Sequence, residues 1–286
     1  MVSYSDCAIF IQSNQKQLLG AKVAKYALEV RGHARTHGVP VSIIQVESLP
    51  EFRNFLGKPY RKHYAPFSFT DLQSFTLTRF LPPTVMHFRG RALVIDPDIF
   101  ALTDIAPLIR MNLDGAAIAA CRKNPWDTSV MVLDCKSLKH WDVPQMLDDI
   151  ATGNRTYEDI MALRSESARI TELSREWNSL DRLDERTGML HTTNRLTQPW
   201  RTGLNIDFTF NPPPRLFGFI PRFWVRRPTQ YLPHPDTHIE ACVIQLFREA
   251  HESGAVTDGD IDSAIKNQEV RGDFLELMRN TTSQGR

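Results

Sequence analysis

Asp96 and Asp98 stand two residues apart in RALVIDPDIF (91–100), separated by one proline, at the end of an apolar run. Pro97 fixes its own φ and keeps Asp96 out of the helical region, so the segment stays extended and residues i and i+2 project to one side. Carboxylates brought that close repel unless a proton or a cation intervenes. A hard divalent metal with oxygen ligands, keeping positions open for substrate phosphates, is the usual resolution. Aspartates in such tripeptides also serve as ordinary turn caps on backbone N–H groups, so position decides between the two uses.

Open α/β sheets bind ligands at the carboxyl ends of their strands, and the flanking pattern is that of such a sheet. CAIFIQ (7–12) reads as a buried first strand running into the polar loop SNQKQ. Residues 18–38 have helical spacing, with Leu19, Val23, Tyr26 and Ala27 on one face and Gly38 and Pro40 as the stop. VPVSIIQV (39–46) follows as a second strand, giving the strand, helix, strand opening of a crossover unit. DLQSFTLTRFLPP (71–83) reads as a helix closed by Pro82 and Pro83, and RALVI as a central strand. GAAIAACR (115–122) and SVMVLDC (129–135) are further strands, whereas VPQMLDDIATG (143–153) and TYEDIMALR (156–164) are helical. Proline density breaks regular structure from residue 211, which divides the chain into a main domain, 1–210, and a linker with a C-terminal helical extension packed on it, 211–286.

A chain of 286 residues that is 42% hydrophobic buries a full globular core. The net charge of +1 gives no global attraction to nucleic acid, so none is expected as a partner and electrostatic work must be local. Cys7, Cys121, Cys135 and Cys242 are far apart with no C-x-x-C pair, which argues against a cysteine zinc site or a disulfide framework and fits a reducing compartment. The first residues show neither a basic n-region nor a long apolar stretch, and no window approaches the roughly 18 apolar residues of a membrane span. The expectation is a cytoplasmic protein.

Four segments, taken in order, carry a family resemblance. LTRFLPPTVMHFRGRALVIDPDIFALTDIAPL (77–108) resembles the segment of the family 8 retaining glycosyltransferases, the group of glycogenin and the bacterial lipopolysaccharide galactosyltransferases, in which an arginine precedes an apolar strand ending in D-x-D. Arg79, Asp96 and Asp98 stand at the matching positions. DTSVMVLDCKSLKHW (127–141) is similar to the family's N-x-G-V-M strand and helix, EWNSLD (176–181) to its W-N element, and LHTTNRLTQPW (190–200) to its H-x-x-G-x-x-K-P-W. Asp127, Thr128 and Ser129 depart from the family's sugar-contacting loop. Tyr157 and Glu158 stand where many members have D-Q, and Asn194 and Gln198 replace the glycine and lysine of the histidine motif.

The resemblance implies a GT-A type, Rossmann-like domain with a mixed central sheet that binds a nucleotide-sugar. It implies Asp96, Asp98 and His191 as metal ligands, with Arg79 and Asp96 at the donor phosphates. Carboxylate and imidazole ligation suits Mn2+ somewhat better than Mg2+. Glu158 and Asp159 are the acids of the catalytic segment. Consecutive helical residues diverge by about 100°, so Glu158 is assigned behind the anomeric carbon and Asp159 to the sugar hydroxyls. Gln12, Ser13 and Asn14, at the end of the first strand, offer donors and acceptors to a base and ribose, and Arg201 to phosphate. UDP is the nucleotide the resemblance favours. The expected activity is metal-dependent hexosyl transfer to an acceptor these residues do not identify, a cell-surface or lipid-linked saccharide of polysaccharide biosynthesis. Two other readings stand beside it. A sugar nucleotidyltransferase would carry a Gly-rich basic loop where this chain has IQSNQKQLLGAK (11–22), and a binding protein of the same fold would have lost the chemistry through its altered DTSV and TYED segments.

RLFGFIPRFWVRRP (215–228) sets Phe217, Phe219, Ile220, Phe223, Trp224 and Val225 among Arg215, Arg222, Arg226 and Arg227. Aromatic anchors among cations are what an interfacial segment offers an anionic membrane, so peripheral contact with the inner face of a membrane is one expectation. The other is that these aromatics plug the core.

Overall fold

The computed structural model describes residues 3–61, 66–208 and 227–280. All but the last two residues of the 215–228 segment, and with them both expectations for it, lie outside the described residues, as does the expected boundary at 210/211. The strands are β1 (Cys7–Ser13), β2 (Val41–Gln45), β3 (Arg91–Ile95), β4 (Ile99–Ala101), β5 (Ile118–Arg122), β6 (Trp126–Asp134), β7 (Ile170–Glu172), β8 (Ser179–Leu180) and β9 (Met189–His191). The helices are α1 (Leu18–Val30), the single turns α2 (Pro50–Arg53), α3 (Pro82–Val85) and α4 (Ala106–Ile109), then α5 (Val143–Thr152), α6 (Tyr157–Met161), α7 (Thr237–Glu252), α8 (Asp258–Lys266) and α9 (Phe274–Asn280).

Six strands form a mixed sheet in the order β2-β1-β3-β6-β5-β7. β1 runs parallel to β2 and β3, whereas β6 is antiparallel to both β3 and β5. A small second sheet, β4-β9-β8, stands beyond the end of β3. The architecture is therefore α/β with a mixed central sheet. Every residue of β3 is buried, as expected of the central strand, and alternate side chains serve opposite layers. Leu93 and Ile95 join Ile9 and Ile11 under α1, while Ala92 and Val94 join Phe10 on the face covered by α5 and α6.

Two elements differ from their sequence patterns. The helix expected over 18–38 stops at Val30, and its remainder folds into turns in which His33 (φ 56°) and Gly38 (φ 69°) are left-handed, a conformation no right-handed helix continues through. Leu19, Val23, Tyr26 and Ala27 are buried together, as the spacing requires. DLQSFTLTRFLPP is built as turns and a 3-10 helix over Thr76–Phe80 before α3. Its threonines support that tighter winding: the Thr78 hydroxyl oxygen lies 2.7 Å from the Phe75 carbonyl, and the Thr76 hydroxyl donates to the Gln73 carbonyl at 2.9 Å.

α7, α8 and α9 share one apolar cluster with β1, β3 and α1. Phe247 sits at its centre, with ring centroids 5.4 Å from Trp200, 5.1 Å from Phe274 and 6.4 Å from Phe100. Arg31 clamps Glu249 through two guanidinium nitrogens, tying the end of α1 to α7. Among the described residues no helix is long and apolar enough to cross a membrane. Because Phe247 is 1% exposed and ringed by aromatics, Phe247→Ala is expected to cost about 3–5 kcal/mol in urea unfolding. A loss below about 1 kcal/mol would show that α7 only leans on the domain.

Candidate metal centre and cleft

β3 delivers Asp96 and Asp98 to the carboxyl edge of the sheet, and the backbone then turns at once into β4. Gly20 in α1 permits the close approach this turn needs, since a Cβ there would lie 3.0 Å from the Pro97 carbonyl oxygen. β4 pairs antiparallel with β9, setting Ile99 against His191. The pairing continues one step further, with the Thr192 N–H donating to the Asp98 carbonyl at 3.1 Å. Strand register thus brings His191 beside Asp98, where His191 Nε2 lies 3.5 Å from Asp98 Oδ1. Asp96, Asp98 and His191 are all buried, and each offers a ligand atom within 4.8 Å of the other two.

The three groups are not equivalent electrically. Arg79 grips Asp96 in bidentate fashion, Nε to Oδ1 at 2.9 Å and a second guanidinium nitrogen to Oδ2 at 2.5 Å. A third nitrogen donates to Thr128 Oγ1 at 2.8 Å, and that hydroxyl passes its own proton to the Met161 carbonyl. Burial raises the Asp96 carboxyl and Arg79 works against it. Among the described residues Asp98 has no such cation, and its side-chain donor is the Gln198 amide at 3.2 Å. Burial, then the charge of Asp96, pushes Asp98 up to about 8. Burial lowers His191 to about 3, so its ring is neutral.

A hydrogen-bond relay fixes the tautomer of that ring. The Asn178 amide nitrogen donates to Ser129 Oγ at 3.0 Å, leaving its oxygen 2.7 Å from His191 Nδ1. Nδ1 therefore carries the proton and Nε2 presents a lone pair to the Asp98 carboxylate. A lone pair facing a carboxylate in a buried pocket repels it unless a proton or a cation stands between them. The donor set of two carboxylates and one imidazole, with its second ring nitrogen anchored, fits a divalent ion of the Mn2+ or Mg2+ class.

This centre opens into a cleft of about 390 Å³. Phe75, Trp126 and Tyr157 line it with aromatic faces, and Lys123 and Arg195 contribute cations. Glu158 is on the lining. Asp159 is not: its N–H donates to the hydroxyl of Thr156, the N-cap of α6, and its carboxylate accepts from that hydroxyl at 2.6 Å and from Arg164 at 2.9 Å. The assignment of Asp159 to sugar hydroxyls therefore gives way to a carboxylate held within the first turn of α6 by Thr156 and Arg164. Tyr157, in place of an acid, hydrogen-bonds Thr76 at 2.9 Å and holds α6 against the 3-10 helix.

Gln12, Ser13 and Asn14 stand at the end of β1 as expected, but fully buried and turned inward. Thr78 donates to Gln12 Oε1 at 2.6 Å, the Ser13 hydroxyl bonds the Asn14 carbonyl, and the Asn14 amide nitrogen serves Asp71, Leu72 and Ser74. These side chains fasten the 71–78 segment to β1; none of them lines the cleft. Arg201 is likewise 1% exposed, bonding the Lys16 carbonyl at 2.7 Å and Tyr231 at 3.3 Å, away from the cleft. Its expected phosphate contact gives way to a structural one.

Asn178 and the Lys123–Asp127 pair carry roles that the sequence did not assign. Burial raises Asp127, but Lys123 and the hydroxyl and amide of Ser129 outweigh it and hold the carboxyl at about 2. Asp127 is thus an anion that orients Lys123 at 3.2 Å and, through Ser129, the Asn178–His191 relay. Asp127 stands in the segment similar to the family's N-x-G, and Asn178 is the asparagine of EWNSLD, the segment similar to its W-N element, to which the sequence attached no role.

No family model and no curated protein sequence matches the chain. Among solved structures it overlaps the glycosyltransferase GlyE of Streptococcus pneumoniae TIGR4 over 68% of this chain and 55% of that one, at 14% identity and a TM-score of 0.47. It overlaps the galactosyltransferase LgtC, solved in complex with donor and acceptor sugar analogues, over 68% of this chain and 89% of that one, at 13% identity and a TM-score of 0.45. For mouse xyloside xylosyltransferase 1 the shares are 65% and 97%, at 12% identity and a TM-score of 0.38. The chain thus spans about half the length of GlyE. Likeness this remote establishes neither family nor activity, and the functional reading below rests on the site itself.

Because Asp98 titrates at about 8 and His191 at about 3, metal binding displaces one proton, from Asp98. Mn2+ affinity measured by calorimetry should rise about tenfold per pH unit up to about pH 8 and then level off. In the metal-free protein the sign reverses for stability. A carboxyl raised on folding favours the fold below the ordinary carboxylate range, and that contribution is lost as pH rises through about 8. Mn2+ affinity that stays flat between about pH 5 and 8 would contradict the assignment of Asp98 as a ligand.

Proposed function

We propose that the chain is a metal-dependent retaining glycosyltransferase, moving a hexose from a nucleotide-sugar, a UDP-sugar by preference, to a saccharide or lipid-linked acceptor. The observation that carries this reading is the buried convergence of Asp96, Asp98 and His191, a donor set that suits a divalent ion, at the mouth of a cleft that also presents Lys123 and Glu158. Mn2+ or Mg2+ held there would supply Lewis-acid neutralisation of a departing nucleotide diphosphate.

The chain's own residues do the rest. Arg79 holds Asp96 in one orientation and keeps it from acting as a free negative charge on the phosphates. Lys123, oriented by Asp127, meets the negative charge of the leaving group. Glu158 is the carboxylate of α6 on the lining, and it takes the position behind the anomeric carbon. Side chains at the end of β1 are committed to packing, so a base placed there is read by backbone groups and by the aromatic lining. On this reading the enzyme works in the cytoplasm.

Purified protein incubated with Mn2+ and a panel of UDP- and GDP-hexoses should release nucleoside diphosphate, and a chelator should stop it. Glu158→Gln should lower that rate by about 100-fold or more, whereas Asp159→Asn should leave it unchanged. Pyrophosphate release from a nucleoside triphosphate and a sugar phosphate would identify a nucleotidyltransferase instead. No turnover of any donor, with donors nonetheless bound, would identify a binding protein.

A further inference from the structure

We propose that His33, His37 and Asp104 form a second metal site, for a zinc-class transition ion, at the far end of α1 from the acidic pair. α1 leaves the carboxyl edge of the sheet and runs 13 residues back, so its last turn lies about 20 Å from the D-P-D segment. There the chain folds into a turn outside α1, closed by a bond from the His37 N–H to the His33 carbonyl at 2.9 Å. Both histidine rings face Asp104, which brings them within reach of one ion. Asp104 comes to meet them from the loop after β4.

Each histidine faces its own carboxylate oxygen. His37 Nε2 lies 2.9 Å from Asp104 Oδ1, and His33 Nδ1 lies 3.6 Å from Asp104 Oδ2. One ligand atom from each residue lies within 4.8 Å of the other two. Tetrahedral zinc with bonds near 2.1 Å sets neighbouring ligand atoms about 3.4 Å apart, and the two separations, each to a different oxygen of Asp104, lie on either side of that value.

The surroundings hold this geometry in place. The His37 ring stacks on Tyr4 with centroids 4.7 Å apart and planes 14° from parallel. Asp104 Oδ1 accepts from the Ala106 N–H at 2.8 Å, and the Ile105 N–H donates to the Gly32 carbonyl at 3.2 Å, tying the loop to the turn. His33 is held in the left-handed region at φ 56°, where an ordinary side chain is uncommon. Three segments distant in sequence meet here: the residues before β1, the end of α1 and the loop after β4. An ion would join them, and the exposed side of His33 leaves its remaining coordination to water or an added ligand.

The test uses untagged full-length protein carrying Asp98→Ala and His191→Ala, so that the acidic centre takes no part. Equilibrium dialysis against Zn2+ should return one ion per chain, and Co2+ in its place should give the d–d absorption of a four-coordinate site with nitrogen ligands. Adding His33→Gln with His37→Gln, or Asp104→Ala alone, should weaken zinc binding at least about 10-fold and abolish the cobalt spectrum. Circular dichroism confirms that each variant is folded, and the conservative His33→Gln alone guards against loss by misfolding. No zinc retained by the Asp98→Ala, His191→Ala protein, or equal retention after the histidines are replaced, would overturn the proposal and leave His37 and Asp104 as a hydrogen-bonded loop clip.

Discussion

Burying Asp96 and Asp98 at the end of β3 takes two carboxylates out of water, each at a cost of several kcal/mol unless compensated. Arg79 compensates one of them. The other is left with an amide donor, a histidine lone pair and the edge of a cleft. Much of the neighbouring structure answers this imbalance. The 3-10 helix exists where it does to aim Arg79 inward, and Thr128 and Met161 secure the guanidinium from the β6 and α6 side. The small β4-β9-β8 sheet sets the histidine against the unbalanced carboxylate.

The same constraint explains why a second layer of polar residues is so fully committed. His191 depends on Asn178, Asn178 on Ser129, and Ser129 on Asp127, whose charge is held in turn by Lys123. Each bond fixes the next donor or acceptor, so the direction of the Nε2 lone pair follows from a carboxylate three residues removed in the relay. Behind it, Trp200 and the aromatic cluster around Phe247 anchor the segment that follows His191 against the C-terminal helices. The helical extension is therefore part of what holds the Asp96, Asp98 and His191 group still.

The sheet and the acidic pair were legible because their signals are local. An apolar run, a proline and two acids suffice to place a strand end, and strand–helix–strand spacing suffices for the α/β class. β4, β8 and β9 were not legible, since two or three residues carry no periodicity, and the contact between Thr192 and Asp98 spans 94 residues. His191 was reached through resemblance alone. Gln12 and Asn14 misled because polar residues at a strand end serve a ligand or the backbone of a neighbouring loop equally well, and here the loop at 71–78 has buried carbonyls to satisfy. That one of Glu158 and Asp159 would face away followed from helical geometry. Which one is settled by Thr156, the N-cap of α6: its hydroxyl accepts the Asp159 N–H and donates to the Asp159 carboxylate, which Arg164 also holds.

The orientation of the His191 ring is the point at which the whole account can be struck. Diffraction from crystals grown with Mn2+, with data collected at the manganese absorption edge, locates the ion independently of any assumption about hydrogens. The account predicts an anomalous peak bounded by Asp98, Asp96 and His191 Nε2, with Nδ1 still bonded to the Asn178 oxygen. A centre with no peak, and with Nε2 instead donating directly to the Asp98 carboxylate, would show that the triad is an internal hydrogen-bonded pair and that no cation governs the site.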